Sequence, residues 1–228
     1  MVVWAISDLH LPARQKPMDI FGPHWLNHFD RIREDWLARV SAGDIVLLPG
    51  DLTWAMHLEE AMEDLARVGE LPGIKLLLRG NHDYWWSSIG RVRRALPEGC
   101  FALQNDSILL DGVLFAGSRG WQIPGEPDGD SDDARIYRRE RQRLEMSLSN
   151  ARAKSEDAPL VAMMHYPPRG ENAEGFSDIL KNYGVERVVY GHLHGAGLAG
   201  AIRGEVEGII YHQVSCDGLD FKLDRIMD

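Results

Sequence analysis

Apolar segments along this chain are short and stop abruptly. Residues 2–6 run into Ser7-Asp8, residues 44–48 into Pro49-Gly50-Asp51, and residues 74–78 into Arg79-Gly80-Asn81. Two later segments behave alike: residues 160–164 meet His165-Tyr166-Pro167-Pro168, and residues 185–190 meet Gly191-His192-Leu193-His194. Apolar runs of this length, bounded by turn residues, predict buried strands that end in polar loops.

Between the first two strands, Trp25, Phe29, Ile32, Trp36 and Val40 recur at helical spacing, and Leu58, Met62 and Leu65 do so before the third. Alternating strand and helix predicts βαβ units and a mostly parallel sheet, whose sites collect beyond the carboxyl ends of the strands. Residues 107–110 and 113–116 flank Asp111-Gly112, a hairpin signal. A loop rich in Pro, Gly and Asp at 123–131 leads into a helix over 132–154, with Tyr137, Leu144, Leu148 and Ala151 on one face. The arginines between 135 and 143 read as a solvated face. Residues 195–200 spell GxGxxG, but no helical period follows, so they predict a glycine turn. Residues 198–223 read as closing antiparallel strands. The expectation is one domain over 1–228, with a loop plus long helix at about 118–157.

Composition changes this picture little: 44% hydrophobic and 26% charged residues over 228 positions describe an ordinary globular chain. No apolar run approaches the ~20 residues of a membrane span. The first residues carry no basic region ahead of an apolar core, so a cytoplasmic protein with no membrane partner is expected. A formal charge of −10 repels polyanions and disfavours long nucleic acid as a partner. Cys100 and Cys216 lack CxxC spacing and are expected to be reduced and buried.

The candidate chemistry lies at the strand ends: Asp8 and His10, Asp51, Asn81 with His82, His165, and His192 with His194. Five of the nine histidines sit in these motifs, a placement that core packing does not explain. Carboxylate, imidazole and amide oxygen together form a nitrogen and oxygen ligand set suited to divalent transition metals. His24 and His28, four apart, read as a solvated or helix-packing pair, with a shared ligand as the competing reading.

In order and type, Asp8-Leu9-His10, Gly50-Asp51, Gly80-Asn81-His82-Asp83, His165 and Gly191-His192-Leu193-His194 resemble the motifs of the metallophosphoesterases, or calcineurin-like phosphoesterases. The resemblance implies an α/β fold, a four-layer α/β/β/α sandwich with two central mixed β-sheets. It also implies two divalent metal ions (manganese, iron, zinc, cobalt or nickel) that activate hydroxide for attack on a phosphate ester. Carried over by motif, the first metal takes Asp8, His10 and His194, the second takes Asn81, His165 and His192, and Asp51 bridges them. His82 is left to protonate the leaving-group oxygen or to stabilise transition-state charge, with Asp83 orienting its ring. The family often has a second acidic residue shortly after Gly-Asp, whereas this chain reads Gly50-Asp51-Leu52-Thr53-Trp54.

Trp54, Tyr84, Trp85, Trp86, Trp121 and Tyr166 cluster near these motifs, and the first four are candidate substrate-binding rings able to stack a base. Arg119 and Arg169 are candidate phosphate clamps. The reading is a metal-dependent phosphohydrolase acting on a small phosphodiester or nucleotide. The alternatives are a phosphomonoesterase, phosphoprotein phosphatases included, and a non-catalytic metal-binding scaffold of the same fold.

Overall fold

The structure is a computed structural model and describes residues 1–13, 16–170 and 175–228. The first half contains β1 (Val3–Ala5), α1 (His28–Arg39), β2 (Ile45–Pro49), α2 (Leu58–Gly69), β3 (Ile74–Leu78), α3 (Ile89–Ala95) and β4 (Cys100–Ala102). The second contains β5 (Ser107–Leu110), β6 (Val113–Ser118), α4 (Asp132–Lys154), β7 (Leu160–Met164), α5 (Ser177–Asn182), β8 (Arg187–Tyr190), β9 (Gly204–Val206), β10 (Ile209–Gln213) and β11 (Asp224–Met227). Two sheets result, ordered β11-β1-β2-β3-β4 and β5-β6-β7-β8-β10-β9. The element β4 has three residues and α3 buries only Val92, so neither leaves a periodic signal in the sequence.

Side-chain alternation along the strands explains the layering. Val3, Ala5, Ile45, Leu47, Val161, Met163, Phe115 and Val189 point between the sheets and form one core. Their neighbours point outward: Trp4, Val46 and Leu48 pack with Trp36, Leu65 and Val68 of α1 and α2, while Leu114, Ala162 and Met164 pack with Leu144 and Leu148 of α4 and Ile179 and Leu180 of α5. Helices thus cover both outer faces, giving the four layers of an α/β/β/α sandwich with mixed sheets. The long helix is held at its start by Ser131, whose hydroxyl accepts from Ala134 N at 3.1 Å, and by Asp132 and Asp133 in the positive first turn.

One topological expectation is corrected. The segment after 198 does not close as antiparallel strands throughout, because β10 pairs parallel to β8, while β9 pairs antiparallel to β10 and β11 antiparallel to β1. Likewise β6, β7 and β8 run parallel after the β5–β6 hairpin. An apolar run carries no information on the direction of its partner, and the parallel placement of β10 brings residues 214–217 to the same sheet edge as the motif loops. No helix among the described residues is long and apolar enough to cross a membrane.

Two substitutions on α4 test the assignment of its faces. Leu144→Ala, fully buried, is expected to cost ~2–5 kcal/mol in chemical denaturation, and Met146→Ala, 56% exposed, within about 0.5 kcal/mol.

Candidate metal centre

The strand-end loops are laced together by their backbones. Asp8 N donates to Gly50 O at 3.0 Å, His10 N to Asp51 O at 3.0 Å and Leu11 N to Leu52 O at 2.9 Å, joining the loop after β1 to the loop after β2. Ser7 N donates to Val214 O at 2.8 Å, and His192 N donates to the Asp8 carboxylate at 3.1 Å, joining both sheets across the junction. Convergence this tight has a conformational cost. Asp8, His10, Asp51 and His192 all have left-handed backbones (φ 58°, 44°, 53° and 71°), a strain of about 1–3 kcal/mol each that persists only where surrounding contacts enforce it. It also requires glycine: a Cβ at Gly80 would sit 2.0 Å from Asp51 Oδ1, and one at Gly191 would sit 2.2 Å from Ser7 Oγ.

Two adjoining groups of donor atoms result, linked by Asp8, whose carboxylate also lies within 4.8 Å of ligand atoms of Asp51 and His165. In the first, Asp8, His10 and His194 present ligand atoms within 4.8 Å of one another, with His194 Nε2 3.4 Å from Asp8 Oδ1. In the second, Asn81 Oδ1 lies 2.6 Å from His165 Nε2 and 3.0 Å from His192 Nδ1. The two imidazole nitrogens are 3.3 Å apart. Asp51 Oδ2 lies between the groups, 3.9 Å from His10 Nε2 and 3.5 Å from His165 Nε2. All seven motif residues named as ligands in the sequence therefore meet at one place.

Neighbouring groups fix the tautomers. His165 Nδ1 donates to Pro49 O at 3.0 Å, which leaves the Nε2 lone pair facing the cluster. His194 Nδ1 donates to Asp217 Oδ1 at 2.9 Å and likewise turns Nε2 inward. A carboxylate behind a ligating imidazole is a recurrent way to orient the ring and raise its basicity. Asp217 escapes the sequence analysis; its one signal is an acidic residue just past a strand whose partner the apolar pattern does not give.

Electrostatics match the geometry at three of the four ligand histidines. Burial, reinforced by neighbouring imidazoles, pushes His10 down to about 3 and His192 to about 4, and burial also takes His165 to about 4, so all three rings are neutral near pH 7. Burial opposes the charged form of His194 too, but its hydrogen bonds to Asp217 and Asp8 lift it to about 10, so near pH 7 this ring carries a proton on both nitrogens and would release the Nε2 proton to ligate a metal. Burial would raise the Asp8 carboxyl, yet the hydrogen bond to His194 and the surrounding imidazoles hold it well below the usual carboxylate range. Asp51 goes the other way, pushed up by burial and by the charges of Asp83 and Asp8.

This donor set fits divalent metal ions. His165 Nε2 and Asn81 Oδ1 are two lone-pair atoms in contact, and the buried His10 Nδ1 has no hydrogen-bond partner. Acceptors crowded this way repel one another unless a shared cation draws them together.

The remaining expected site residues divide. His82 lies beside the cluster, its ring 4.6 Å from Trp54 and 5.8 Å from His10, and burial pulls its pKa below the ordinary imidazole value. Trp54 stacks on His10 at 4.7 Å and 17°. Tyr84 meets the His82 ring edge-on at 6.1 Å and is half exposed.

Three assignments are corrected. Asp83 does not orient the His82 ring: its carboxylate is fully buried and taken up by Asp51 N, Leu52 N, Gly80 N and Trp85 Nε1, all at 2.7–2.9 Å. Trp85 and Trp86 do not rim a pocket, because they are buried in the core under α2, with Trp86 Nε1 donating to Gln104. Arg119 and Arg169 point away from the cluster, to Glu140 (3.6 Å) and Glu207 (3.3 Å) respectively. Two residues after Asp51, where the family often has an acidic residue nearby, the Thr53 hydroxyl donates to the buried Asp64 of α2, which also accepts from Ala13 N. His24 and His28 separate: His28 is buried between the Leu9 and Trp25 carbonyls, whereas His24 faces the cleft.

That cleft, of about 510 Å³, opens over the cluster. His10, Asp51, His82, His192 and His194 form its floor, and Met18, Phe21, Trp25 and Trp54 form an apolar wall. The short 3-10 turns Met18–Phe21 and Pro23–Trp25 supply most of that wall, and Phe21 is 59% exposed.

Comparison with known proteins gives a family and a fold. The family model described as calcineurin-like phosphoesterase matches residues 1–196. A crystal structure of a Thermus thermophilus protein is similar at a TM-score of 0.60 and 14% identity, covering 100% of this chain and 99% of that one. A protein of unknown function from Aquifex aeolicus is similar at 0.52 and 17% identity, covering 98% of this chain and 95% of that one. No curated protein matches the chain.

The buried Asp83 provides a test of how the cluster is held. Asp83→Asn places an amide N–H₂ against backbone N–H donors, so a loss of ~1–3 kcal/mol in melting experiments is expected, with metal retention reduced. Unchanged stability and metal content would show that the Gly50 and Gly80 loops are positioned by other contacts.

Proposed function

The chain belongs to the calcineurin-like phosphoesterase family, and from that premise we propose that it is a phosphohydrolase with a dinuclear metal centre acting on small phosphodiesters, nucleotides among them. The observation that carries the reading is the meeting of Asp8, His10, Asp51, Asn81, His165, His192 and His194 beneath one cleft. Asp8, His10 and His194 would hold one ion and Asn81, His165 and His192 the other, with Asp51 available to both. When bound, the ions neutralise phosphoryl oxygens and lower the pKa of a coordinated water.

The chain's own residues do the rest. Pro49 O and Asp217 keep His165 and His194 in the tautomers that turn Nε2 inward. Trp54 packs on both His10 and His82 and limits their rotation. His82 is the one cleft-lining motif histidine left outside both ligand groups, which supports it as the proton donor to the leaving oxygen. An arriving phosphate ester is anionic and favours the protonated ring, offsetting the effect of burial. The wall of Met18, Phe21, Trp25 and Trp54 suits an aromatic or apolar ester group, and the cleft volume lies within the usual range for small-molecule sites. Lys16 lies over the Trp54 ring at 4.9 Å and places one cation beside this wall.

The test uses chain reconstituted with Mn²⁺, Zn²⁺, Co²⁺, Ni²⁺ or Mg²⁺ and aryl or nucleotide diesters beside monoesters. Metal-dependent diester turnover is expected, with His82→Ala keeping its metal and losing about 10²–10⁴ in kcat, and Asp51→Ala losing metal. Preferential monoester turnover would replace the substrate assignment. Metal loss in His82→Ala with retention in Asp51→Ala would overturn the division of roles.

A further inference from the structure

A second cleft lies where the ends of β3 and β6 meet α4, sharing no lining residue with the cleft over the metal cluster. It is small, about 80 Å³, and is bounded by Arg79, Arg119 and Arg143 together with Ser87, Gln104 and Glu140. Three guanidiniums against one carboxylate leave an excess of two positive charges around it.

The carboxylate is already engaged. Glu140 is 1% exposed, and the same oxygen, Oε1, meets Arg143 at 2.7 Å and Arg119 at 3.6 Å. Arg79 has no ion-pair partner among the described residues, and Nε of both Arg79 and Arg119 is buried without a hydrogen bond. An unsatisfied buried donor costs about 1–3 kcal/mol, so the two orphaned Nε groups mark a poorly neutralised patch beside the cleft, and it is the excess of guanidiniums over Glu140 along its lining that suits a ligand of the opposite sign. Burial and the Arg79 charge also press the Arg119 pKa down, against the pull of Glu140.

We propose that this cleft binds a small tetrahedral oxyanion of the inorganic phosphate type, gripped by Arg79, Arg119 and Arg143. Guanidinium forks match such oxygens in pairs, and the volume holds one oxyanion but no nucleoside. Its walls are continuous with the metal loops. Arg79 stands two residues before Asn81, and Arg119 O accepts from His165 N at 3.1 Å and Tyr166 N at 2.9 Å, so the anion sits behind two ligand-bearing loops.

The experiment is a calorimetric titration of inorganic phosphate into the full chain, metal-loaded and metal-free, at ionic strength fixed with chloride. The metal-free chain is expected to take up one phosphate, and Arg79→Met to weaken that uptake tenfold or more, the loss of one charge-assisted hydrogen bond. Ser87→Asp, at an exposed rim position, adds a carboxylate without disturbing the core and is expected to block uptake; it decides the matter if Arg79→Met fails to fold. No phosphate uptake by the metal-free chain, or uptake indifferent to both substitutions, overturns the proposal. The readout is independent of hydrolysis, so it stands or falls separately from the phosphohydrolase assignment.

Discussion

Negative charge concentrated at the junction of two sheets is the constraint on which the rest of this structure depends. Asp8, Asp51 and Asp83 are all buried there, with Asp217 at their edge. All four carboxylates accept hydrogen bonds from the protein itself, Asp51 through one oxygen only. Asp83 accepts from three backbone N–H groups and an indole, Asp217 from His194 and Gly195 N, and Asp8 from Ser7 Oγ and His192 N. Asp51 accepts from His82 N through Oδ1 and turns Oδ2 toward two imidazoles, and burial and its acidic neighbours push its pKa up. Uncompensated charge in such a place is costly, and a bound cation inverts the balance. The left-handed backbones and the glycines packed on carboxylates follow from bringing these groups so close.

Asp83 shows how the protein sustains that closeness. One buried carboxylate ties the Gly50-Asp51 and Gly80-Asn81 turns together, and each charge-assisted bond of this kind contributes about 1.5–3 kcal/mol. The adjacent His82 is therefore free to face the cleft while Asp83 faces the core, so two neighbours in one motif serve opposite sides of the same loop.

Much of this is legible in the sequence because ligand chemistry coincides with abrupt strand ends. The strands at 74–78 and 160–164, the helix over 132–154 and the Asp111-Gly112 hairpin follow from periodicity and turn chemistry alone. What escapes has physical reasons. Strand direction is not encoded in an apolar run, so the parallel pairing of β10 with β8, and with it Asp217, stays hidden. Closeness in sequence does not fix which way a side chain faces, so Trp85 and Trp86 resemble pocket rings although they pack in the core. The apolar wall around Phe21 comes from two single 3-10 turns, too short to show any period. Arg119 does place its positive charge in a cleft, but beside Glu140 and away from the metal ligands.

The proposal on which the function rests is that seven side chains from five strand-end loops would hold two ions around Asp51. Elemental analysis of chain purified without chelator and reconstituted with manganese tests it most directly. Two metal ions per chain are expected at saturation, falling to one when either His10 or His165 is replaced by alanine. Saturation at one ion or none in the unaltered chain would contradict it.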